Sequence, residues 1–199
     1  MANWCRTHFV VECNDKQKLQ RICDAIEKCN GRPKPLIEDS SRSWTGNIFK
    51  ELGLKYESER CFWNESCFED DALQIFEESA WSRGSSMRQL VEQMNDPEDP
   101  DNDLVVYFRS EECGCEIYET NDTEGVYFPG RYMLDTSEDG EEYYCTFEGL
   151  CDDVNSFLEE ENDFKDLNDV VERLDKYNRE NEGNNRWAYV HEFDTEATL

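Results

Sequence analysis

Apolar residues recur at two spacings along this chain, and each spacing predicts a different element. The segment Cys5 to Cys13 is rich in Val, Thr and Phe and predicts a strand. Apolar residues then recur at i, i+3, i+4 and i+7 from Lys16 to Cys29, which predicts a helix. Asn14 or Asp15 is the expected N-cap, and Asn30-Gly31 the expected end. The chain therefore opens with a strand and an amphipathic helix.

A second strand–helix–strand pattern follows. Leu73 and Ile75 indicate a strand, and Ser85-Ser86 precedes a helix with apolar residues on one face. The run Leu104–Phe108 is apolar on both sides of the pleat, which is typical of a strand with neighbours on both sides. Residues Arg32 to Thr45 contain two prolines and three serines and predict a loop.

The last third of the chain predicts short antiparallel strands, then helices and a final strand. The expected elements are strands at Cys115–Glu119, Val126–Leu134 and Tyr143–Phe147, helices around Val154–Leu158 and Leu167–Leu174, and a strand at about Arg186–Phe193. The pair Asp139-Gly140 predicts a hairpin turn.

The order of these elements predicts an α+β fold. Strand, helix, loop, two strands, helix and strand is the order of a ferredoxin-like split βαβ core. We expect that core at residues 1–120, with a loop insertion at about 31–70. A β-hairpin and helical extension at residues 121–199 is expected to pack on it.

The charge of the chain restricts its partners. Its 199 residues include 48 Asp or Glu and 20 Lys or Arg, a net charge of −28. Such a surface repels nucleic acid and anionic lipid, so a charged partner should be cationic. Aromatic residues make up 13% of the chain, which indicates a packed core rather than acidic disorder.

The acidity is regional. Residues 1–50 hold nine basic and six acidic residues, whereas residues 51–199 hold eleven and 42. We therefore expect the partner-binding surface in the later part of the chain. The predicted contact residues are Glu111, Glu112, Glu116, Glu119, Asp122, Glu124, Glu138, Asp139, Glu141, Glu142, Asp152, Asp153, Glu159, Glu160 and Glu161.

Ten cysteines raise the question of the redox compartment. The chain opens without a basic stretch followed by an apolar one, so no secretory signal is expected. Several cysteines occupy core spacings, where a free thiol behaves as a small apolar residue. We therefore expect reduced thiols and a cytoplasmic location.

No metal or cofactor is expected. Cys113 and Cys115 form a single C-x-C without the second pair of ligands that structural zinc requires. Asp99, Asp101 and Asp103 begin like a calcium-binding EF-hand loop, but the required Gly and terminal Glu are absent. A solvated acidic turn is the simpler interpretation.

Catalytic signatures are weak. Phosphate-binding glycine motifs are missing, and the chain has only two histidines. We predict no catalytic residue. A small thiol-dependent enzyme using Cys5 or Cys13 with His8 stays open as an alternative.

Four aromatic residues have two possible roles. They are Trp44, Phe62, Trp63 and Trp81. A surface recognition patch is conceivable, but core packing is the favoured interpretation, since aromatic side chains contribute most to protein cores.

Three segments of this chain resemble a known family. They are Met1–Cys5 with the strand and helix after it, Ser79–Ser82, and Val105–Cys115. These segments are similar to the YubB-like ferredoxin-fold domain family, which occurs on plasmids, phages and other mobile elements. The resemblance implies a ferredoxin-like fold without iron. It transfers no catalytic residue, because the family has no settled activity.

Together these features predict a non-enzymatic, acidic binding protein of a phage or mobile element. Its expected partner is a basic host protein, with inhibition of a defence or nucleic-acid-binding factor by DNA mimicry as one form of the contact. Besides the thiol enzyme, a structural accessory protein without a charged partner stays open.

Overall fold

The structure is a computed structural model that describes residues 3–69 and 71–199, so Met1, Ala2 and Asp70 lie outside the described residues. The elements are β1 (Trp4–Glu12), α1 (Lys16–Gly31), α2 (Thr45–Leu52), β2 (Cys61–Glu69), β3 (Ala72–Ala80), α3 (Ser86–Met94), β4 (Val105–Glu112), β5 (Ile117–Thr120), β6 (Tyr132–Thr136), β7 (Gly140–Tyr144), α4 (Phe147–Leu158), α5 (Leu167–Glu180) and β8 (Ala188–Glu192). This confirms the mixed α+β class. Across the described ranges, no helix is both long and apolar enough to cross a membrane.

The chain forms two compact units. Unit 1 comprises residues 1–123 together with the last five residues, Thr195–Leu199, and unit 2 comprises Glu124–Asp194. Unit 2 is therefore an insertion within the chain of unit 1.

Unit 1 contains a five-stranded antiparallel sheet with the order β2-β3-β1-β4-β5. The segment with α1 and α2 connects β1 to β2, and α3 connects β3 to β4. Each connection joins two strands that have one other strand between them. Residues 105–108 of the run predicted to have strand neighbours on both sides pair only with β1, because β5 pairs with the second half of β4, Arg109–Glu112. On its other side this part of β4 is hydrogen-bonded by the Asn121 side chain.

Successive side chains of each strand point to opposite faces of this sheet, and one of these faces packs against the helices. Phe9 on β1 is paired with Ile75 on β3 and Phe108 on β4, and all three are fully buried. They share one apolar core with the buried residues of α1, α2 and α3. Asp15 caps α1 as predicted, and its carboxylate accepts from the amides of Gln17 and Lys18.

The loop expected at about 31–70 contains a helix and a strand instead, so this expectation is wrong. Helix α2 has no side-chain cap, since Trp44 occupies its N-cap, and Gly53 ends it in the left-handed region at φ 77°. Strand β2 is irregular because its register shifts between Trp63 and Glu65. This bulge breaks the two-residue alternation that identifies a strand in sequence.

Unit 2 contains a three-stranded antiparallel sheet with the order β7-β6-β8, and helices α4 and α5. Its core is formed by buried aliphatic residues of the helices and strands, among them Leu134, Leu150, Val154, Val170 and Leu174. Helix and strand spacing predicted these elements.

Three predicted strand boundaries near and in unit 2 are corrected. Cys113–Cys115 forms a 3-10 turn before β5. The strand expected from Val126 begins at Tyr132, after Pro129 and Gly130, since proline cannot donate to a ladder. The strand expected to reach Phe147 ends at Tyr144, because Thr146 caps α4.

Candidate interaction surfaces

The acidic side chains of unit 2 are almost all on its surface. Unit 2 has 21 acidic and six basic residues, a net charge of −15. Twenty of the 21 are exposed; Asp135 is half-buried. Complete pairing with the six basic residues would still leave 15 carboxylates without a cation. The surface of unit 2 is therefore negative whatever its side-chain conformations.

Strand β7 and helix α4 place several predicted contact residues. Glu141 and Glu142 are consecutive on β7, so they point to opposite faces of the sheet. The Tyr144 hydroxyl donates to a Glu142 carboxylate oxygen at 2.7 Å. Burial, followed by the carboxylates of Glu142 and Asp153, raises the pKa of Tyr144. Glu142 and Asp153 therefore lie at one site, and Glu141 does not share it.

The connection between α4 and α5 is an ordered acidic turn. Glu159 is in the left-handed region at φ 55° and ends α4. Asn155 holds the turn from inside α4: its side chain accepts from the Asn162 amide at 2.9 Å and donates to the Asn162 carbonyl at 3.0 Å. Glu160 accepts two hydrogen bonds from Arg173, at 2.9 and 2.5 Å. The ion pair with Arg173 lowers the pKa of Glu160.

The list of predicted contact residues omitted the acidic face of α5, although this helix lies within the acidic later part of the chain. The exposed residues of this face are Asp169, Glu172 and Asp175. They lie on the side of the helix away from Val170 and Leu174, which are buried. The signal was present, since acids three residues apart between apolar positions mark the polar face of an amphipathic helix.

Two further predicted acids differ in their pairing. Glu138 forms an ion pair with Arg186. Asp139 makes no ion pair among the residues that the structure describes, and its amide donates to the Thr136 hydroxyl in the hairpin turn. The exposed ion pair between Glu138 and Arg186 contributes little to stability.

The predicted surface divides between the units. Ten of the fifteen contact residues belong to unit 2 and are exposed. The other five belong to unit 1, where Glu116 is exposed and Glu119 half-buried. Glu111, Glu112 and Asp122 are wrong as surface contacts, because each is buried.

Local bonding explains two of these errors. Glu111 forms an ion pair with Arg109 at 2.8 Å on the same face of β4. Glu112 accepts from the backbone amides of Gly114 and Cys115. It thus caps the 3-10 turn, and these hydrogen bonds outweigh burial and lower the pKa of Glu112. Carboxylates with such roles are unavailable to a partner.

A buried polar cluster in unit 1 was also missed. Glu77 on β3 is only 2% exposed and accepts from the Trp63 indole at 2.7 Å, from the Gly84 amide at 3.3 Å, and from the Ser86 hydroxyl. The Gly84 amide and Ser86 flank the start of α3, where a negative charge is favourable. The signal was a polar residue at an inward position of β3, two residues after Ile75.

Thiols beside this cluster are protonated at neutral pH. Burial, and then the charge of Glu77, raises the pKa of Cys61. Burial likewise raises the pKa of Cys5 to about 12. All ten cysteines are free, and five of them are buried. A thiol that stays protonated is a poor nucleophile, because the thiolate is the reactive form.

The residues of the thiol-enzyme alternative do not meet. Side chains alternate between the two faces of the sheet along β1. Cys5, on β1, and Cys13, directly after it, are on the face that packs against the helices, whereas His8 points to the other face. His8 stacks on Phe76 with ring centroids 4.3 Å apart and bonds to Gln74. Cys13 bonds to a backbone carbonyl at 3.1 Å.

Neither candidate metal motif assembles a site. The carboxylates of Asp99 and Asp103 accept from Asn102 and from the Asp96 amide, so they stabilise their own turn. Cys113 and Cys115 are both exposed on the 3-10 turn. Over residues 3–69 and 71–199, no group of three or more His, Cys, Asp or Glu side chains is placed to hold a metal ion.

The four aromatic residues separate into core and surface. Trp63 is fully buried, as core packing predicts. Trp44 and Phe62 are half-buried and Trp81 is 53% exposed, so for these three the core interpretation is wrong. Trp81 also has a φ of 75°, a rare conformation for a bulky residue.

Comparison of the chain with protein-family models, with curated proteins and with solved structures finds no match. The resemblance to the YubB-like family thus stays a prediction, and function has to be argued from the residues themselves.

Proposed function

We propose that this protein is a non-enzymatic binding protein whose unit 2 contacts a basic surface of another protein. One observation carries the proposal: 20 of the 21 acidic residues in unit 2 are exposed, and only six basic residues are present to neutralise them. A single exposed acidic residue does not indicate a binding site. An excess of this size on a folded scaffold creates a negative electrostatic potential that attracts a cationic partner.

The scaffold supports a binding role because it holds the carboxylates in place. The acidic turn after α4 is fixed by Asn155 and Asn162, and Glu160 by Arg173. A charge that is already positioned loses little conformational entropy when a partner binds. Electrostatic attraction of this kind gives fast association that weakens steeply with salt.

We also infer that unit 1 has a ferredoxin-like core. Support comes from the order β2-β3-β1-β4, in which each helical connection skips one strand. This fold serves many functions and does not itself indicate one.

The test compares two full-length variants that each remove four negative charges. One replaces exposed acids of unit 2, through Asp152→Asn, Glu161→Gln, Asp163→Asn and Glu172→Gln. The other replaces exposed acids of unit 1, through Glu57→Gln, Glu65→Gln, Glu69→Gln and Glu98→Gln. Each variant and the native protein are used to capture basic proteins from a cell lysate, and the affinity for the recovered protein is measured.

We expect the unit 2 variant to bind about tenfold more weakly and the unit 1 variant to bind as the native protein does. Equal losses would mean that only the overall charge matters and would contradict the proposal. Absence of any partner at low salt would favour the structural accessory role. Displacement of the captured protein by duplex DNA would show that the contact imitates DNA.

A further inference from the structure

Unit 1 has a cleft of about 490 Å³ between the segment before α2 and the segment that enters β2. Residues 37–41 form one side and residues 58–60 the other, and the rings of Trp44 and Phe62 line it. These two residues form an isolated antiparallel bridge, which makes them neighbours. The cleft has the volume of a small-ligand or side-chain pocket.

The Trp44 ring is fixed in this cleft. Its indole nitrogen donates to the Glu59 carbonyl at 2.8 Å. The other end of the ring lies over Gly46, where an added Cβ would come within 2.4 Å of it. Tyr56 contacts it edge to face, at 5.7 Å between centroids. A half-buried tryptophan held at both ends is a preorganised contact surface.

Phe62 and the nearest cation are also held. Phe62 contacts Trp4 edge to face, with centroids 5.6 Å apart. The Arg60 guanidinium lies 5.3 Å from the centroid of the Trp4 ring, in a cation–π contact. Arg60 is therefore directed onto Trp4.

The rim of the cleft carries unpaired negative charge. Glu38 and Asp39 are exposed, and within residues 3–69 and 71–199 their carboxylates form neither an ion pair nor a hydrogen bond. The Glu59 carboxylate also lines the cleft and accepts from the Ser85 amide at 2.9 Å and from its hydroxyl at 2.5 Å. Three carboxylates against one arginine make the cleft attractive to a cation.

We propose that this cleft binds a Lys or Arg side chain presented by an extended segment of a partner protein. The cation would lie against the Trp44 and Phe62 rings, with Glu38 and Asp39 as its counter-charges. The inference rests on the proposed function only in taking the partner to be basic. It places a specific contact in unit 1, whereas the proposed function concerns the broad field of unit 2.

The test uses short neutral peptides with one central Lys, Arg, Gln or Glu, titrated into the full-length protein. Binding is followed at the indole N–H of Trp44 in proton–nitrogen NMR spectra. We expect the Lys and Arg peptides to bind about fivefold tighter than the Gln peptide. The variant Glu38→Gln/Asp39→Asn should remove that preference. Asn tolerates the left-handed backbone of Asp39, at φ 62°, so this variant keeps the fold.

A matched control removes two charges from exposed residues of unit 1 that do not line the cleft, through Glu69→Gln/Glu98→Gln, and should leave peptide binding unchanged. Gly46→Ala, which displaces the Trp44 ring, should weaken binding of the Lys and Arg peptides. Circular dichroism checks that each variant is folded.

The proposal is overturned if the Gln peptide binds as tightly as the Lys peptide, if the control weakens binding as much as the cleft variant, or if the Trp44 signal does not move. Its failure is separable from that of the proposed function. Peptide binding without capture of basic proteins would retain the cleft and reject the role of unit 2. Capture of basic proteins without peptide binding would retain the role of unit 2 and reject the cleft.

Discussion

Among the residues of unit 1 that the structure describes, four carboxylates are buried, including Glu77 and Glu112, whereas unit 2 buries none of its 21 acidic residues. The net charges are similar, −13 in unit 1 and −15 in unit 2, but unit 2 has 71 residues and unit 1 has 128. Unit 2 therefore carries about twice the charge per residue. A single net charge hides this difference.

The difference teaches what a carboxylate does in each setting. In unit 1, Glu77 accepts hydrogen bonds from the buried Trp63 and Ser86 side chains, and Glu112 caps the 3-10 turn. In unit 2 most carboxylates keep their hydration and repel one another. The buried carboxylates of unit 1 stabilise local structure, whereas the exposed carboxylates of unit 2 are available for contact.

Replacing Glu77 should give the largest effect. Glu77→Ala removes the buried carboxylate that accepts from the Trp63 indole and the Ser86 hydroxyl, so the free energy of unfolding should fall by about 2 kcal/mol. The loss is not larger because the indole also donates to the Ser86 hydroxyl and the Gly84 amide to the Ser79 hydroxyl. Glu172→Ala, on the exposed face of α5, should change it by less than about 0.5 kcal/mol. Urea denaturation measures both. Equal losses in the two variants would abolish the contrast between the units.

Alkaline pH should destabilise unit 1 through its buried thiols. Burial raises the pKa of Cys5 to about 12, so the unfolded chain releases this proton first. The contribution of the protonated Cys5 thiol to the free energy of unfolding is complete below about pH 8.5 and is lost as the pH rises toward 12. Between about pH 9 and pH 10, Cys5 should contribute a loss of about 1 kcal/mol.

The measurement is urea denaturation at several pH values, with Cys5→Ala as the comparison. The substitution lowers stability at every pH but should make the alkaline decline shallower. Cys145→Ala, at an exposed thiol of unit 2, is the control and should leave the decline unchanged. Identical declines in the native protein and Cys5→Ala would rule out this thiol as a cause.

Added salt should give the smallest effect, concentrated in unit 2. Screening weakens the repulsion among exposed carboxylates, so the local opening free energy of α5 should rise by a few tenths of a kcal/mol, about 0.3, between low and moderate salt. Helix α1 in unit 1 should change less. Segment-resolved hydrogen exchange on the full chain compares the two helices, and an equal response in both would mean that the charge density of unit 2 has no local consequence.

Sequence periodicity predicted most elements because their apolar positions are regular. Helix α1 is an example, as its buried residues keep the helical spacing along its length, and strand β4 was predicted from its continuous apolar run. The segment 31–70 could not be predicted in the same way. The bulge of β2 interrupts the alternation at Trp63, and α2 lacks a capping side chain.

The candidate sites were predicted only in part for a different reason. Exposure of Glu141 or Asp152 follows from the abundance of acids, but the burial of Glu112 depends on a turn that folds back to its carboxylate. The cleft at Trp44 depends on segments brought together by tertiary structure. Pairing over such distances leaves no local pattern in the sequence.

The return of Thr195–Leu199 to unit 1 has a consequence for biosynthesis. Ala197 and Leu199 pack against the apolar core of unit 1, and Arg83 donates to the Thr198 carbonyl. A ribosome makes these residues only after all of unit 2 has been synthesised. The nascent chain must therefore keep the last part of the unit 1 core open while the whole of unit 2 emerges, so the first unit to begin folding is the last to be completed.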